Sequence, residues 1–136
     1  MATVQDGEGT PHGVTVNSFT SVSLEPPLVL FCLEKEAGVY AAFMEANYYG
    51  INILGDEQRV LSDRFAFFTG DRFAGLEWRP GLAPRLPGTL AWMAVRVDTR
   101  VDAGDHTIFL GTVEEAEALE GRPLLYFQSQ YRSLPE

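Results

Sequence analysis

The sequence predicts a mostly β protein, an antiparallel barrel with one or two helices packed on it. Segments with strand character outnumber helical segments, and most of the connections between them are short. Nothing along the chain resembles a repeated βαβ unit, and no Gly-x-Gly-x-x-Gly follows a strand. A Rossmann-type nucleotide site is therefore unsupported.

The first half of the chain predicts two strands and a helix. Residues 6–13 are turn-forming, and residues 14–19 alternate roughly as a strand does. Pro26-Pro27 ends that pattern, and the apolar run 28–33 is consistent with a strand buried on both faces. Residues 37–47 carry Ala, Tyr, Phe and Met and predict a helix.

The second half predicts one more helix among further strands. Residues 49–54 are rich in β-forming residues, and Val60, Leu61, Phe65 and Phe68 lie at helical spacing within 56–68. Residues 70–88, rich in Gly and Pro, predict a long ordered loop. The remaining strands are predicted at 90–99, 107–115 and 124–131.

Length and charge limit the classes of function. A chain of 136 residues with 46 % hydrophobic and 21 % charged residues predicts one globular domain over residues 1–136. Its net charge of −9 leaves no basic face for the phosphates of nucleic acid or for an anionic membrane surface. We expect neither as a partner.

Cysteine and histidine are scarce. Cys32 is the only cysteine, so no intrachain disulfide can form, and with His12 and His106 as the only histidines we expect no metal site. No apolar run approaches the roughly 20 residues of a membrane span, and residues 1–9 contain no apolar signal core. We expect a cytoplasmic protein.

Several segments could carry chemistry, and each has a structural alternative. A cluster of hydroxyl and amide side chains beside Gly13 could donate to a phosphate or to a polar ring, or could be a solvated edge strand. Gly104-Asp105-His106 delivers a titratable side chain into a strand, or is a turn with a surface histidine. The aromatic residues within 123–131 could stack on a ligand or belong to the core. The hydroxyl and amide residues are Thr15, Asn17, Ser18, Thr20, Ser21 and Ser23.

The charged and nucleophilic side chains also have alternative roles. Arg64 and Arg72 could each hold a phosphate or form a surface ion pair. Cys32 follows an apolar run and is expected to be a buried, inert thiol. No Ser-His-Asp or Cys-His arrangement can be proposed at a credible spacing, so hydrolase chemistry is unsupported.

The order of the motifs resembles the short-chain flavin reductases, the reductase components of two-component flavin-dependent monooxygenases. The resemblance begins at Thr10-Pro11-His12-Gly13 and covers nearly the whole chain in the family's order. No single motif is decisive, but the collinear set is specific. The matching segments after 10–13 are 17–28, 51–54, Gln58, 65–66, 71–75, Trp78, 104–106, Gly111, 123–127 and Tyr131.

This resemblance implies a flavin-binding split β-barrel of the Greek-key type, a homodimer and a partner monooxygenase that receives reduced flavin. It implies FMN or FAD as the flavin and NADH or NADPH as co-substrate. Since hydride passes between cofactors, no catalytic side chain is expected. The resemblance also implies an N-terminal strand that is truncated to Ala2-Thr3-Val4.

The resemblance also implies the binding residues. His106 is expected to bind or orient the nicotinamide rather than relay a proton. A non-catalytic flavin-binding protein on the same barrel is the alternative function. A pyridoxamine-phosphate oxidase-like enzyme has the same class of barrel, but the sequence of residues 17–27 argues against it. The implied flavin contacts are Gly13, Val14, Thr15, Asn17, Ser18, Cys32, Leu33, Glu34 and Arg64, and the implied NAD(P)H contacts are His106, Tyr126, Phe127, Gln128 and Ser129.

Overall fold

The computed structural model describes residues 1–135, which form nine strands and two helices. The two helices are short, and the two longest strands form a hairpin in the second half of the chain. In chain order the elements are β1 (Ala2–Gln5), β2 (Pro11–Val14), β3 (Thr20–Leu24), β4 (Pro27–Glu34), α1 (Tyr40–Glu45), β5 (Tyr48–Ile53), α2 (Arg59–Phe67), β6 (Ala91–Ala103), β7 (His106–Ala118), β8 (Leu125–Phe127) and β9 (Gln130–Arg132).

Seven strands form one antiparallel sheet in the order β2-β1-β5-β6-β7-β4-β3. Three strands separate β1 from β4 in this order, yet Val4 and Phe31 belong to one buried cluster, so the sheet curls around its core. Register shifts in β6, between Ala94 and Val95 and before Thr99, provide the local bend that such curvature requires. Because the edge strands β2 and β3 do not pair with each other, the barrel is split.

Aromatic side chains fill the interior of the curled sheet. The Phe31 ring stacks on Phe109 at a centroid distance of 5.1 Å and meets Tyr49 edge-on at 4.8 Å. Phe43, the buried residue of α1, joins the same cluster. Arg100 donates to the carbonyls of Phe43 and Ala46, which satisfies acceptors at the end of this short helix.

A second apolar cluster joins α2 to the long loop at 70–88. Phe65 meets Phe73 edge-on at 5.0 Å, and Leu86 packs in the same cluster. Buried polar groups fix the loop to the sheet, because the Leu86 amide donates to Asn52 at 2.9 Å and the Thr3 hydroxyl donates to the Pro84 carbonyl at 2.6 Å.

Most of the predicted elements are confirmed. The helices predicted at 37–47 and 56–68 are present but shorter, and no helix or strand of 1–135 falls within 70–88. The strands predicted at 90–99 and 107–115 are each longer, because β6 and β7 pair along their whole length.

Three predictions about strands are wrong. The segment 14–19 is not a strand: β2 ends at Val14, and the next five residues form a loop whose polar side chains bind to neighbouring elements. The segment 124–131 is a hairpin, which turns at Gln128 and Ser129 with positive φ values of 52° and 60°. The run 28–33 is not buried on both faces, since its alternate residues Leu28, Leu30 and Cys32 are only partly buried.

No helix within residues 1–135 is both long enough and apolar enough to cross a bilayer.

Candidate functional site

A cleft of about 860 Å³ opens between the loop at 15–19, strand β5, helix α2 and the β8–β9 hairpin. Its size is that of a small-molecule site, and its lining combines apolar and polar residues in about equal number. The apolar lining is Met1, Val16, Phe19, Ile51, Ile53, Leu54, Ala66, Phe67 and Leu124, and the polar lining is Thr15, Asn17, Asn52, Arg59, Ser62, Asp63, Tyr126, Ser129, Gln130 and Tyr131.

The end of β2 is fixed directly against α2. Gly13 is buried, and a Cβ at this position would lie 2.7 Å from the Phe65 ring, so only glycine permits this approach. The Thr15 amide donates to the Phe65 carbonyl at 3.3 Å, and the Thr15 hydroxyl donates to the Ser62 carbonyl at 2.6 Å. These contacts fix the backbone at the beginning of the loop that lines the cleft.

Ser18 connects this loop to strand β4. Its hydroxyl donates to the Cys32 carbonyl at 2.7 Å and accepts from the Cys32 amide at 3.0 Å. The loop that carries Asn17 therefore lies beside the edge of β4, about two residues or roughly 7 Å along the strand from Glu34.

The expected residues at the end of β4 lie beyond the cleft lining. Leu33 is buried in the core, while Glu34 is exposed and pairs in register with His106, the first residue of β7. The His106 Nδ1 atom contacts the Asp105 carboxylate at 2.6 Å. Cys32, Leu33, Glu34 and His106 thus form a second group, which Ser18 joins to the cleft.

Helix α2 presents one face to the cleft. Arg59, Ser62, Asp63 and Ala66 follow the i, i+3, i+4, i+7 spacing of a single helical face. Arg64 lies about 100° further around the helix, the rotation of one residue. Its guanidinium donates to the carbonyls of Asp71 at 3.4 Å and Ala74 at 2.5 Å, so the structure does not bring it into the cleft.

The β8–β9 hairpin forms the opposite wall. Tyr126 and Ser129 line the cleft, whereas Phe127 and Gln128 are exposed and lie outside its lining. The base of the hairpin is attached beside β5, because the Leu124 amide donates to the Leu54 carbonyl at 3.0 Å.

The structure therefore brings together part of the set expected from the sequence. Thr15, Asn17, Tyr126 and Ser129 meet in one cleft, and Gly13 lies behind it. The other expected residues not in the lining are Val14, Ser18, Cys32, Leu33, Glu34, Arg64, His106, Phe127 and Gln128.

Among the lining residues that sequence reasoning missed are Arg59, Ser62 and Asp63 on α2 and Gln130 on β9. Those on α2 carry a signal in the sequence, because Arg59, Ser62 and Asp63 recur at the i, i+3, i+4 spacing of one helical face. Gln130 carries none, because it becomes a lining residue only through the hairpin turn.

The charge of the cleft differs from that of the chain. Among the lining residues of 1–135, Arg59 is the one cation and Asp63 the one anion, so the lining is neutral in a chain of net charge −9. The guanidinium of Arg59 lies 3.9 Å from the Asp63 carboxylate and is largely exposed. It is therefore available to a ligand phosphate.

Comparison with known proteins extends over the whole described chain. The flavin reductase like domain family matches residues 1–135. The chain is 44 % identical to FMN reductase (NADH) SmoA of Agrobacterium fabrum, across 93 % of this chain and 72 % of the relative. It is 37 % identical to HsaB, the reductase subunit of a flavin-dependent monooxygenase of Mycobacterium tuberculosis, across 98 % of this chain and 73 % of that one.

Some relatives are much longer. The chain is 40 % identical to a Rhizobium meliloti protein named "Probable flavin reductase", across 86 % of this chain but only 38 % of the relative.

Solved structures show the same fold. A nitrilotriacetate monooxygenase component B from Mycobacterium thermoresistibile superposes with a TM-score of 0.93 at 35 % identity, across 98 % of this chain and 77 % of that one. The NADH:FAD oxidoreductase SgcE6 of Streptomyces globisporus C-1027, solved with NAD and FAD fragments, superposes with a TM-score of 0.88 at 33 % identity. The match covers 98 % of this chain and 82 % of that one. The fold is the split barrel of flavin reductases, as the resemblance implies.

The surroundings of Arg64 predict the effect of removing it. Because its guanidinium holds two carbonyls of the loop at 71–74, Arg64→Ala should lower the melting temperature by roughly 3 °C, the shift produced by the loss of ~1 kcal/mol. It should leave the flavin dissociation constant unchanged. Thermal unfolding and flavin fluorescence titration measure the two effects.

Arg59→Ala is the matched comparison, since it removes an arginine from the cleft face of the same helix. It should weaken binding of a phosphate-bearing nucleotide by about tenfold, the loss of ~1.4 kcal/mol. A tenfold weaker flavin affinity in Arg64→Ala, with unchanged stability, would instead assign the flavin phosphate to Arg64.

Proposed function

The chain belongs to the flavin reductase like domain family, and from that membership we propose that it is an NAD(P)H:flavin oxidoreductase that supplies reduced FMN or FAD to a partner monooxygenase. The observation that carries the proposal is the similarity across 98 % of the chain to an NADH:FAD oxidoreductase solved with NAD and FAD fragments. Relatives named as an FMN reductase (NADH) and as a monooxygenase reductase subunit support the reaction and the partner.

The residues of the cleft fit such cofactors. A volume of about 860 Å³ accommodates a planar ring system, and Phe19, Ile51 and Ile53 give it apolar walls. Thr15 and Asn17 supply groups that can hydrogen-bond to the polar edge of a ring. Arg59 supplies the cation that a phosphate requires.

We place the flavin along the segment 13–18 and the adjoining end of β4. The Ser18 connection supports this placement, because it joins the cleft to the group formed by Cys32, Leu33 and Glu34. We place the nicotinamide nucleotide between the β8–β9 hairpin and His106, on the side of Tyr126, Phe127, Gln128 and Ser129. Arg64 is the one expected flavin contact that this placement leaves out.

The chain's contribution to the reaction is position and environment. The bound cofactors supply the hydride chemistry themselves, so no nucleophilic side chain is required. The two hydrogen bonds of Thr15 to α2 hold the loop backbone rigid beside the ring, where its donors would act on developing negative charge. The hairpin forms the other wall of the cleft, where it would lie against the bound cofactors.

The proposal is tested by mixing purified protein with NADH and FMN or FAD in air. NADH oxidation, followed by absorbance, should require both the protein and the flavin and should be repeated with NADPH to identify the preferred nucleotide. A protein that binds flavin without oxidising either nucleotide would be the non-catalytic flavin-binding alternative, and the proposed activity would be wrong.

We further propose that the protein is a homodimer. Several large apolar side chains are exposed, among them Leu24 at 95 % and Val60 at 81 %, and contact with a second copy would remove such side chains from water. Sedimentation at micromolar concentration should give a single species of about twice the 15.0 kDa chain mass. A fully active monomer would contradict this. We also propose a cytoplasmic location, which cell fractionation tests.

His106 is the residue at which binding and surface roles differ most clearly. If it contacts the nicotinamide nucleotide, His106→Ala should raise the KM for NAD(P)H by roughly tenfold, about 1.4 kcal/mol, at saturating flavin. The flavin dissociation constant and the melting temperature should barely change. Steady-state kinetics with NAD(P)H as the varied substrate measures the effect.

His12→Ala is the matched control. His12 is the other histidine of the chain, and its Nε2 atom contacts the Asp6 carboxylate at 2.8 Å. It lies outside the cleft lining and outside the second group that contains His106. Its removal should leave the KM for NAD(P)H and the KM for flavin unchanged. A collapse of kcat by 10² or more in His106→Ala would instead indicate acid–base chemistry, and an unaltered KM would remove His106 from the site.

A further inference from the structure

The β8–β9 hairpin is a separate two-stranded sheet, and it does not pair with the seven-stranded sheet. Its base is attached by backbone hydrogen bonds, from the Leu124 amide to Leu54 and from the Asp56 amide to Arg122. A two-stranded hairpin is marginally stable by itself, so its position over the cleft depends on contacts beyond this base.

Tyr131 provides those contacts. Its hydroxyl donates to the Asp63 carboxylate at 3.1 Å and lies 2.8 Å from the Ser62 hydroxyl. Because the phenol has one proton, a donation to Asp63 leaves its oxygen to accept from Ser62. The guanidinium of Arg59 lies over the Tyr131 ring, 4.9 Å from its centroid. One side chain of the hairpin thus meets three residues on the cleft face of α2.

The protonation state suits this role. Burial raises the pKa of the Tyr131 phenol, and the neighbouring Asp63 carboxylate raises it too. The phenol therefore remains a donor at and above neutral pH, and its bond to Asp63 is charge-assisted.

The rest of the hairpin has weaker attachments. Tyr126 and Phe127 are more than half exposed, and the turn at Gln128 and Ser129 adopts the left-handed backbone region that non-glycine residues disfavour. Tyr126 packs edge-on against Tyr131 at a centroid distance of 5.2 Å, so the orientation of Tyr126 depends on Tyr131 as well.

We infer that Tyr131 is a positioning residue that holds the β8–β9 hairpin closed against α2, so that Tyr126 and Ser129 are pre-set to receive the nicotinamide nucleotide. This inference rests on the proposed function for its ligand, but the closure itself is a property of the chain. Without the Tyr131 hydroxyl most molecules would have an open hairpin, and the apparent affinity for the nucleotide would be multiplied by the fraction that stays closed.

The test is Tyr131→Phe, which keeps the ring and its contacts with Arg59 and Tyr126 but removes both hydrogen bonds of the hydroxyl. The KM for NAD(P)H should rise about five- to tenfold, while kcat at saturating nucleotide and the flavin dissociation constant change less than twofold. A role in the chemistry itself would lower kcat instead.

Tyr49→Phe is the control for loss of a phenol hydroxyl. The Tyr49 hydroxyl donates to the Phe109 carbonyl at 3.0 Å in the core, away from the cleft. This variant should lower the melting temperature and leave the KM for NAD(P)H unchanged. An equal rise of KM in both variants would mean that the effect is general destabilisation, and the inference would fail.

Hydrogen exchange gives a readout independent of activity. The Leu124 amide, bound to Leu54 at the hairpin base, should exchange about tenfold faster in Tyr131→Phe than in the wild type and should be unaffected in Tyr49→Phe. Ser62→Ala removes one partner of the same hydroxyl, so it should increase the exchange rate of the Leu124 amide by less than Tyr131→Phe does. In the double variant it should add nothing to the effect of Tyr131→Phe.

The two proposals fail in distinguishable ways. If the wild type does not oxidise NAD(P)H with flavin, the proposed function fails, and exchange at Leu124 still tests the closure. If the wild type is active but Tyr131→Phe retains both its KM and its slow exchange at Leu124, the positioning role of Tyr131 is wrong.

Discussion

The contact between Gly13 and Phe65 is the constraint on which the site depends. Strand β2 and helix α2 can approach this closely because a Cβ on residue 13 would lie 2.7 Å from the Phe65 ring. The approach lets Thr15 bind two carbonyls of α2, and these bonds hold the first wall of the cleft. It also turns the Arg59, Ser62 and Asp63 face of α2 toward the opening. A bulkier residue at position 13 would move the helix, and both walls of the cleft would move with it.

The curled sheet supports this contact from behind. Its register shifts in β6 let distant strands enclose one aromatic core, so β5 presents Ile51 and Ile53 to the cleft from a rigid base. Asn52, between them, uses its side chain inward to bind Leu86 and Thr3. The floor of the cleft is therefore fixed by a buried polar network, whereas its hairpin wall is held chiefly by one tyrosine.

Much of the fold follows from local pattern, but the errors share a cause. Residues 14–19 alternate like a strand, yet the hydrogen bonds of Thr15 and Ser18 to neighbouring elements replace strand pairing, and no local pattern reports such partners. The turn at Gln128–Ser129 lacks the glycine or asparagine that normally marks a left-handed turn, so the hairpin is read as one strand. For the same reason Arg64, rather than Arg59, is the arginine expected at the site. The spacing of the α2 residues is visible in the sequence, but the helical face that meets the cleft is not.

The distribution of cations explains how an acidic chain can receive ligands that carry phosphates. Arg64, Arg72 and Arg100 donate to backbone carbonyls and so stabilise loops and helix ends. Arg85 and Arg96 pair with carboxylates on the strands. Arg59 is more loosely paired, at 3.9 Å from Asp63, and the ring of Tyr131 lies beneath its guanidinium. The residue that holds the hairpin therefore also orients the cleft's cation, so closure of the hairpin and recognition of a phosphate are linked through the same three side chains.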